Sequence, residues 1–289
     1  MTSLSYGEKV FQFIVTVFLC IISVIAIIPL ISVLSISFSS RLPVELNLVT
    51  LWPKGITLES WTYILGRSDL WRSFFITLVS TLIGTALSLL ITALTAYPLT
   101  KKEFKLGKLI MIAAVITMVF KAPLIPYFLT VKEVGLYNNP LVLFIPHVLT
   151  AFNLIIMRTF FKEFPAELEE AAVVEGAGYF RTLFSLVLPL SKAVLATLGL
   201  FYAVVIWNQF QHPLLFITEP DWFPLQLKIR QFITSDNEFP IVGDISQLNY
   251  NARTLRAVTV VFSMIPILIV YPYLQKYFVK GAMLGSVKG

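Results

Sequence analysis

Six long apolar blocks constrain this chain more than any other feature of its sequence. Each approaches the roughly 20 residues that an α-helix needs to cross the hydrocarbon core of a bilayer. The blocks cover residues 10–38, 74–99, 109–129, 140–161, 190–207 and 255–278. Because backbone polar groups must be paired inside a membrane, such blocks predict spanning helices. We therefore expect an all-α membrane protein with six transmembrane helices.

Composition agrees with this expectation. The chain of 289 residues is 57% hydrophobic and 13% charged, against roughly 45–50% and about 25% in soluble domains. We expect one transmembrane domain over residues 1–289, surrounded by membrane lipid. The formal net charge of +6 raises the possibility of nucleic-acid binding. However, no basic run is interleaved with aromatic residues, and most lysines lie at the ends of spans, so no nucleic-acid partner is expected.

The chain offers few residues for catalysis, metal binding or nucleotide binding. Cys20 is its single cysteine, which excludes an intrachain disulfide and a multi-thiolate metal site. His147 and His212 lie in different segments, without the H-E-x-x-H spacing of a zinc site. The sequence also lacks the G-x-x-x-x-G-K-[ST] loop that cradles nucleotide phosphates. We expect no catalytic residue and no metal site, and any energy from ATP must come from another chain.

Lysines indicate how the chain is oriented. The loop of residues 101–108, KKEFKLGK, carries four lysines between two apolar blocks, and such short basic loops face the cytoplasm. Alternation then places both termini and residues 165–189 in the cytoplasm, with a long extracytoplasmic segment over 208–254. The first apolar block lacks a small-residue cleavage site, so we expect it to be retained as a span.

Residues 165–189, PAELEEAAVVEGAGYFRTLFSLVLP, are neither a simple span nor a simple loop. Pro165 suits a first helical turn, three glutamates follow where a helix favours negative charge, and Gly176 suits the end of that helix. A second helical run is predicted over 179–187. It should stop at Pro189, because proline cannot continue a helix interior. The stretch predicts a helix, a glycine turn, a second helix and a proline stop.

The first of these helices has a shallow face. Leu168, Ala171, Ala172 and Glu175 fall at spacings of three or four and therefore lie on one side. Such a face suits docking into a groove on another protein. An ordinary amphipathic helix pair between two spans is the alternative interpretation.

The same letters resemble the EAA motif of ATP-binding-cassette (ABC) importer permeases, which reads E-A-A, three residues, G, nine residues, I-x-L-P. The matching residues are Glu170, Ala171, Ala172, Gly176, Leu188 and Pro189, with Leu186 in the isoleucine position. In that family this loop is the coupling helix, which sits in a cleft of a cytoplasmic ATPase subunit. The resemblance implies a type I ABC importer permease (MetI-like) fold and an ATPase-coupling site within 165–189.

The C-terminus carries a second resemblance, to sugar permeases of the maltose-importer type. Gly285, Val287, Lys288 and Gly289 match an ending that reaches the ATPases in that group. The resemblance implies a second homologous permease, two ATPase subunits that bind ATP and Mg, and an extracytoplasmic solute-binding protein. Residues 247–278 resemble the branch serving complex oligosaccharides, including uronates and alginate. The implied location is the cytoplasmic (inner) membrane of a prokaryote.

Four residues are candidates for a substrate path. Lys121 lies near the middle of the third block, where a charge is costly unless it faces water or a partner. It could attract an anionic substrate, or it could snorkel or pair with a partner subunit. Asn153 could contact substrate, although an interhelical hydrogen bond explains it better. Trp207 and Asn208 could belong to an outer entrance, and an aromatic belt explains the tryptophan equally well.

Two other classes of membrane protein fit the sequence less well. An ion-coupled secondary transporter usually needs acidic residues inside the membrane, and every Asp and Glu lies outside the span centres. A membrane-embedded enzyme needs a nucleophile with a base, or a metal constellation, and neither is indicated. Of the three interpretations, a permease subunit of an oligosaccharide importer accounts for the most residues singled out above.

Overall fold

A computed structural model describes residues 5–234 and 249–284, and within this range the regular secondary structure is helical, apart from one isolated bridge between Ser39 and Ile56. We number its fourteen α-helices in chain order. They are α1 (Tyr6–Ser37), α2 (Arg41–Glu45), α3 (Glu59–Leu65), α4 (Ser68–Ala96), α5 (Gly107–Val119), α6 (Leu124–Glu133), α7 (Ala151–Lys162), α8 (Ala166–Val174), α9 (Tyr179–Thr182), α10 (Leu188–Leu190), α11 (Lys192–Asn208), α12 (Gln211–Phe216), α13 (Leu225–Thr234) and α14 (Ala252–Leu284).

Three helices in the described range are long and apolar enough to cross a membrane by length and composition. They are α1, α4 with its extension to Thr100, and the Ala252–Val270 part of α14. Two bent pairs raise the number to as many as five if each pair is one span. These pairs are Pro140–His147 with α7, bent by 49°, and Tyr179–Leu190 with α11, bent by 85°. Helix α5 is apolar but shorter, so six spans remain a prediction.

The third apolar block is not one continuous helix. Helix α5 ends at Val119, Phe120 is extended with φ −101° and ψ 102°, and α6 begins only after Pro123. Proline lacks an N–H and disfavours helical geometry in the residue before it. The expectation of a helix over 109–129 is therefore corrected, and Lys121 lies in the break between two helices.

The fourth block is broken as well. Two 3₁₀ turns, Pro140–Leu143 and Ile145–His147, precede α7. Helix α7 begins where the side chain of Thr150 accepts a hydrogen bond from the N–H of Asn153. A threonine cap and the prolines upstream favour this later start. The expected helix over 140–161 is thus shortened to its second half.

The second run of the 165–189 stretch passes its proline. Helix α9 leads into a π turn over Leu183–Val187, α10 follows, and the break comes at Ser191. The expectation that the helix stops at Leu188 and Pro189 is therefore wrong. A π turn pairs residues five apart and changes which carbonyl faces the proline ring, so the chain can continue.

Contacts divide the chain into two units, and the first lies within Met1–Leu70 and Ile229–Ile265. Its small core contains Ile36, Val44, Val49 and Ala257. The Ser60 hydroxyl donates to the Thr254 hydroxyl over 3.0 Å and links α3 to α14. Residues 10–31 of α1 are exposed throughout, so this apolar helix presents its surface to lipid or to a partner chain.

The second unit lies within Trp71–Lys228 and Pro266–Gly289. Its core joins α4, α7, the π turn and α11. The buried members are Ala93, Ala96, Tyr97, Leu99, Leu154, Met157, Phe161, Leu183, Val187, Val194 and Leu198. Because Leu183 and Val187 belong to this core, the segment that follows α8 is firmly anchored.

Candidate coupling site

Helix α8 begins and ends with standard helix-terminal features. Pro165 precedes it with φ −58° and ψ 126°, and the acidic residues Glu167 and Glu169 occupy its first turn. Carboxylates are stabilised there by the unpaired N–H groups and the positive end of the helix dipole. The sequence prediction of a short acidic helix in this place is confirmed.

The end of α8 is a Schellman motif built on Gly176, which has φ +78°. The N–H of Gly176 donates to the carbonyl of Val173 over 2.9 Å, and the N–H of Ala177 donates to the carbonyl of Ala172 over 2.9 Å. This pair of bonds needs a left-handed residue four positions after Ala172, where glycine is least strained. The A-x-x-x-G spacing of the motif therefore has a backbone cause.

The two halves of the motif differ in burial. No residue of α8 is buried, whereas Leu183 and Val187 of the π turn are 2% and 1% exposed. Leu186 and Leu188 are partly buried and Pro189 is exposed. Because α8 is exposed and the π turn after it is buried, a partner that displaces α8 would also displace residues of the core.

Helix α8 has two different exposed surfaces. The face predicted for docking lines a groove of about 340 Å³ shared with the second helical run. On this side the groove is lined by Leu168, Ala171 and Ala172 of α8 and by Glu175, the residue that follows the helix. Elsewhere on α8, Glu170 is exposed, and Val173 and Val174 are 63% and 88% exposed. Docking of this helix on another protein stays a prediction.

A salt bridge joins α8 to the basic loop of residues 101–108. The Lys101 ammonium donates to the Glu169 carboxylate and lies 4.5 Å from the centroid of the Tyr97 ring. Burial alone would lower the pKa of Lys101, but the hydrogen bond that its ammonium donates to Glu169 and the charge interactions with Tyr97 and Glu169 raise this pKa. Arg158 Nε donates to the carbonyl of Leu99 over 2.9 Å and thereby links α7 to the residues just before this loop. No sequence pattern indicates this pairing, because its partners lie 68 residues apart.

We expect Lys101 and Glu169 to be energetically coupled. Lys101→Met and Glu169→Gln should each lower the midpoint of thermal unfolding, and the double variant should lose less than their sum. A double-mutant cycle should give an interaction of about 1 kcal/mol, as for partly buried pairs in contact. Glu170→Gln, which changes an exposed neighbour, is the matched control. Additive effects of Lys101→Met and Glu169→Gln would contradict the coupling.

The four path candidates occupy different environments. Lys121 is exposed in the break between α5 and α6, and Asn153 is buried in the first turn of α7. Trp207 is 7% exposed, with its ring 6.0 Å from that of Phe74. The exposed Asn208 donates to the carbonyl of Val204. Among the described residues no hydrogen bond or ring contact joins Lys121 to the other three candidates, so the structure does not assemble them into one site.

The structure brings together a polar cluster that the sequence did not indicate. The hydroxyl of Tyr127 lies 2.6 Å from His212 Nε2, and the ring centroids of His147 and His212 are 5.1 Å apart. Gln209 Nε2 donates to the carbonyl of Leu143 in the same region. Burial and then the neighbouring His147 lower the pKa of His212 to about 4, so its imidazole is neutral near pH 7. In the described ranges no three His, Cys, Asp or Glu residues group as a metal site.

The predicted tail contacts fall beyond the structure. Gly285, Val287, Lys288 and Gly289 lie outside the described residues. Their role in contacting an ATPase stays a prediction.

Comparisons with known proteins agree with this architecture. Residues 88–283 match the family described as binding-protein-dependent transport system inner membrane component. YtcP of Bacillus subtilis, a polygalacturonan/rhamnogalacturonan transport system permease protein, is 34% identical over 98% of this chain and 99% of its own. Protein LplC of the same organism is 36% identical over 97% and 96%.

A solved structure shows the same fold. It is a chain of a bacterial ABC transporter involved in the import of the acidic polysaccharide alginate. The TM-score is 0.89 at 31% identity, covering 96% of this chain and 100% of that chain. The chain therefore has the all-helical permease fold and belongs to the family of inner-membrane components of binding-protein-dependent transport systems.

Proposed function

We propose that this chain is the permease subunit of an ABC importer for oligosaccharides and that α8 is its coupling helix. One observation carries the proposal: an exposed acidic helix, closed by a Schellman turn at Gly176, stands on the buried π turn. A partner that moves α8 would move Leu183 and Val187 with it. Those residues pack in one core with α4, α7 and α11, so the motion reaches the membrane helices as alternating access.

ATP hydrolysis would be carried out by other chains of the importer. The sequence has no phosphate-binding loop, so two partner ATPase subunits would bind ATP and Mg. A second homologous permease would complete the path, and an extracytoplasmic binding protein would deliver the substrate. Both termini and residues 165–189 would face the cytoplasm of a prokaryote, and 208–254 would face outward. Segment 285–289 would add contacts to the ATPases.

An acidic oligosaccharide is the substrate class that we favour. YtcP is named for the transport of polygalacturonan and rhamnogalacturonan, and the structural neighbour belongs to a transporter involved in the import of the acidic polysaccharide alginate. All three polymers contain uronates. Lys121 supplies an exposed cation in a helix break within the apolar block that the sequence predicts as the third span. A charge held there, with backbone groups freed by the break, suits an anionic ligand in a watery path.

We expect Lys121→Ala to reduce stimulation of ATP hydrolysis by acidic oligosaccharides about fivefold, the equivalent of about 1 kcal/mol for a solvated ion pair. Stimulation by neutral oligosaccharides should not change. The measurement is the ATPase activity of the purified complex in lipid with its binding protein. Lys121→Arg, which keeps the charge, and Lys132→Ala, which removes a charge from α6, are the controls.

The outcomes separate the parts of the proposal. If neutral sugars stimulate hydrolysis and Lys121→Ala has no effect, the importer stands and the acidic substrate does not. If no sugar stimulates hydrolysis in a complete complex, the importer function itself is wrong.

A further inference from the structure

A groove of about 700 Å³ lies beside the coupling site. It runs between residues 101–108, α5 as far as Ile116, and the end of α7, and we call it the basic groove. Six cationic side chains line it: Lys101, Lys102, Lys105, Lys108, Arg158 and Lys162. Among the described residues no acidic side chain contributes to the lining. The groove therefore concentrates positive charge at one end of two helices.

Most of this charge is not neutralised within the described part of the chain. Lys101 is paired with Glu169, and Arg158 Nε donates to the carbonyl of Leu99. The side chains of Lys102, Lys105, Lys108 and Lys162 are exposed, and none forms a salt bridge with a described acidic residue. Four ammonium groups near one another favour an anionic ligand that they can share.

The other wall of the groove is apolar. Met111, Ile112, Val115 and Ile116 of α5 form it, and the last three are 48%, 47% and 49% exposed. Beyond Lys108, α5 contains no charged residue. The groove thus changes from strongly basic to wholly apolar along one helix.

We propose that the basic groove binds one anionic phospholipid. Its phosphate would lie among Lys102, Lys105 and Lys108, and an acyl chain would follow Ile112 and Val115 along α5. Basic pockets between helices at the membrane surface recognise acidic headgroups, whereas an apolar wall that continues towards the bilayer suits an acyl chain. A soluble protein partner would explain the lysines but not the apolar wall.

The basic groove adjoins α8 through Lys101, which lines the groove and also binds Glu169 of α8. A lipid phosphate would hold the loop of residues 101–108 beside α7 and keep Lys101 in place. Bound anionic lipid is therefore expected to favour coupling. Lipid binding requires only that the groove lies at a membrane surface. It does not depend on which substrate the protein transports.

The test is native mass spectrometry of the purified complex from nanodiscs of phosphatidylglycerol and phosphatidylcholine. The wild type should retain one phosphatidylglycerol in preference to phosphatidylcholine. Since one basic residue near an anionic surface contributes about fivefold, the Lys102→Gln, Lys105→Gln, Lys108→Gln variant should lose affinity by about 100-fold. Lys105→Gln alone should lose about fivefold, and the triple arginine variant should bind like the wild type.

A charge-matched control changes lysines elsewhere. Lys9→Gln, Lys54→Gln, Lys192→Gln removes three exposed lysines outside the groove and should retain the lipid. Equal retention of phosphatidylglycerol by both triple glutamine variants would overturn the proposal, as would equal binding of phosphatidylcholine. Loss of the ATPase subunits from the groove variant, with lipid retained, would show that a protein occupies the groove instead.

Discussion

Replacing Gly176 with serine is expected to uncouple ATP hydrolysis from transport, whereas replacing Gly178 with serine should leave both unchanged. A Cβ atom at either position meets no atom within 4 Å, so crowding does not distinguish them. Their backbones do: Gly176 has φ +78°, and Gly178 has φ −75° with ψ 169°. Gly178 also caps α9, a position that serine favours.

The strain at Gly176 should amount to about 1–2 kcal/mol, the cost of a left-handed conformation for a residue with a Cβ. Relief of that strain would break the two hydrogen bonds that close α8 and shift the end of the helix. We expect transport, and the stimulation of ATP hydrolysis by substrate, to fall about tenfold while basal ATP hydrolysis continues, since about 1.4 kcal/mol corresponds to that factor. Membrane insertion should be unaffected.

The comparison is made on complexes reconstituted with the binding protein, with uptake and ATP hydrolysis measured together. Gly176→Asn, which tolerates the left-handed region better, should retain more activity than Gly176→Ser. If Gly176→Ser and Gly178→Ser behave alike, the turn does not set the position of α8 and the coupling assignment fails.

Local chemistry explains why this turn could be predicted from the sequence. Pro165, the acidic first turn and Gly176 each act within a few residues of their own position. The spacing of Ala172 and Gly176 matches a hydrogen-bonding pattern of the backbone alone. For such features the sequence contains all the interacting groups, and the start at Pro165 and the end at Gly176 that it predicts lie close to the observed bounds of α8, Ala166–Val174.

The breaks in the helices were only partly predictable. Prolines lie near each break, but a proline alone does not determine whether the helix ends or continues. Near Pro123 the helix ends, whereas around Pro189 a π turn lets it continue to Leu190. Apolar block length predicts a membrane segment but not its continuity, because neighbouring helices can satisfy the freed backbone groups.

Contacts between distant segments had no signal in a single sequence. Lys101 and Glu169 meet although 68 residues separate them, and Tyr127 meets His212 across 85 residues. The basic groove likewise needs the end of α7 to lie beside the loop of residues 101–108. The Lys101 pairing and the basic groove adjoin the core around α4, α7 and α11, whereas Tyr127 packs against a separate cluster that contains Val142 and Phe216. Periodicity specifies neither packing.

Replacing Gly84 with alanine should destabilise the second unit, and more strongly than the same replacement at Gly199. A Cβ at Gly84 would lie 2.6 Å from Phe144 Cβ and 2.7 Å from Ile206 Cδ1. The Phe144 atom is close to the backbone and cannot swing away. Overpacking of this kind costs about 1–3 kcal/mol, against about 1 kcal/mol gained because alanine favours a helix more than glycine.

Thermal unfolding of the purified permease should show this loss as a lower midpoint, by about 2–4 °C for each kcal/mol in a unit of this size. Gly199→Ala on α11 is the matched control, since its Cβ would lie 3.3 Å from Leu89 Cδ1, the end of a flexible side chain. That variant should be neutral or slightly stabilised by helix propensity.

A second substitution shows where the strain at Gly84 arises. Ile206→Val removes Cδ1 and so relieves one of the two close contacts. Added to Gly84→Ala it should recover part of the lost stability, and not all, because the contact with Phe144 Cβ remains. A Gly84→Ala variant as stable as Gly199→Ala would mean that α4 does not approach Phe144 and Ile206 as closely as the packing of this unit requires.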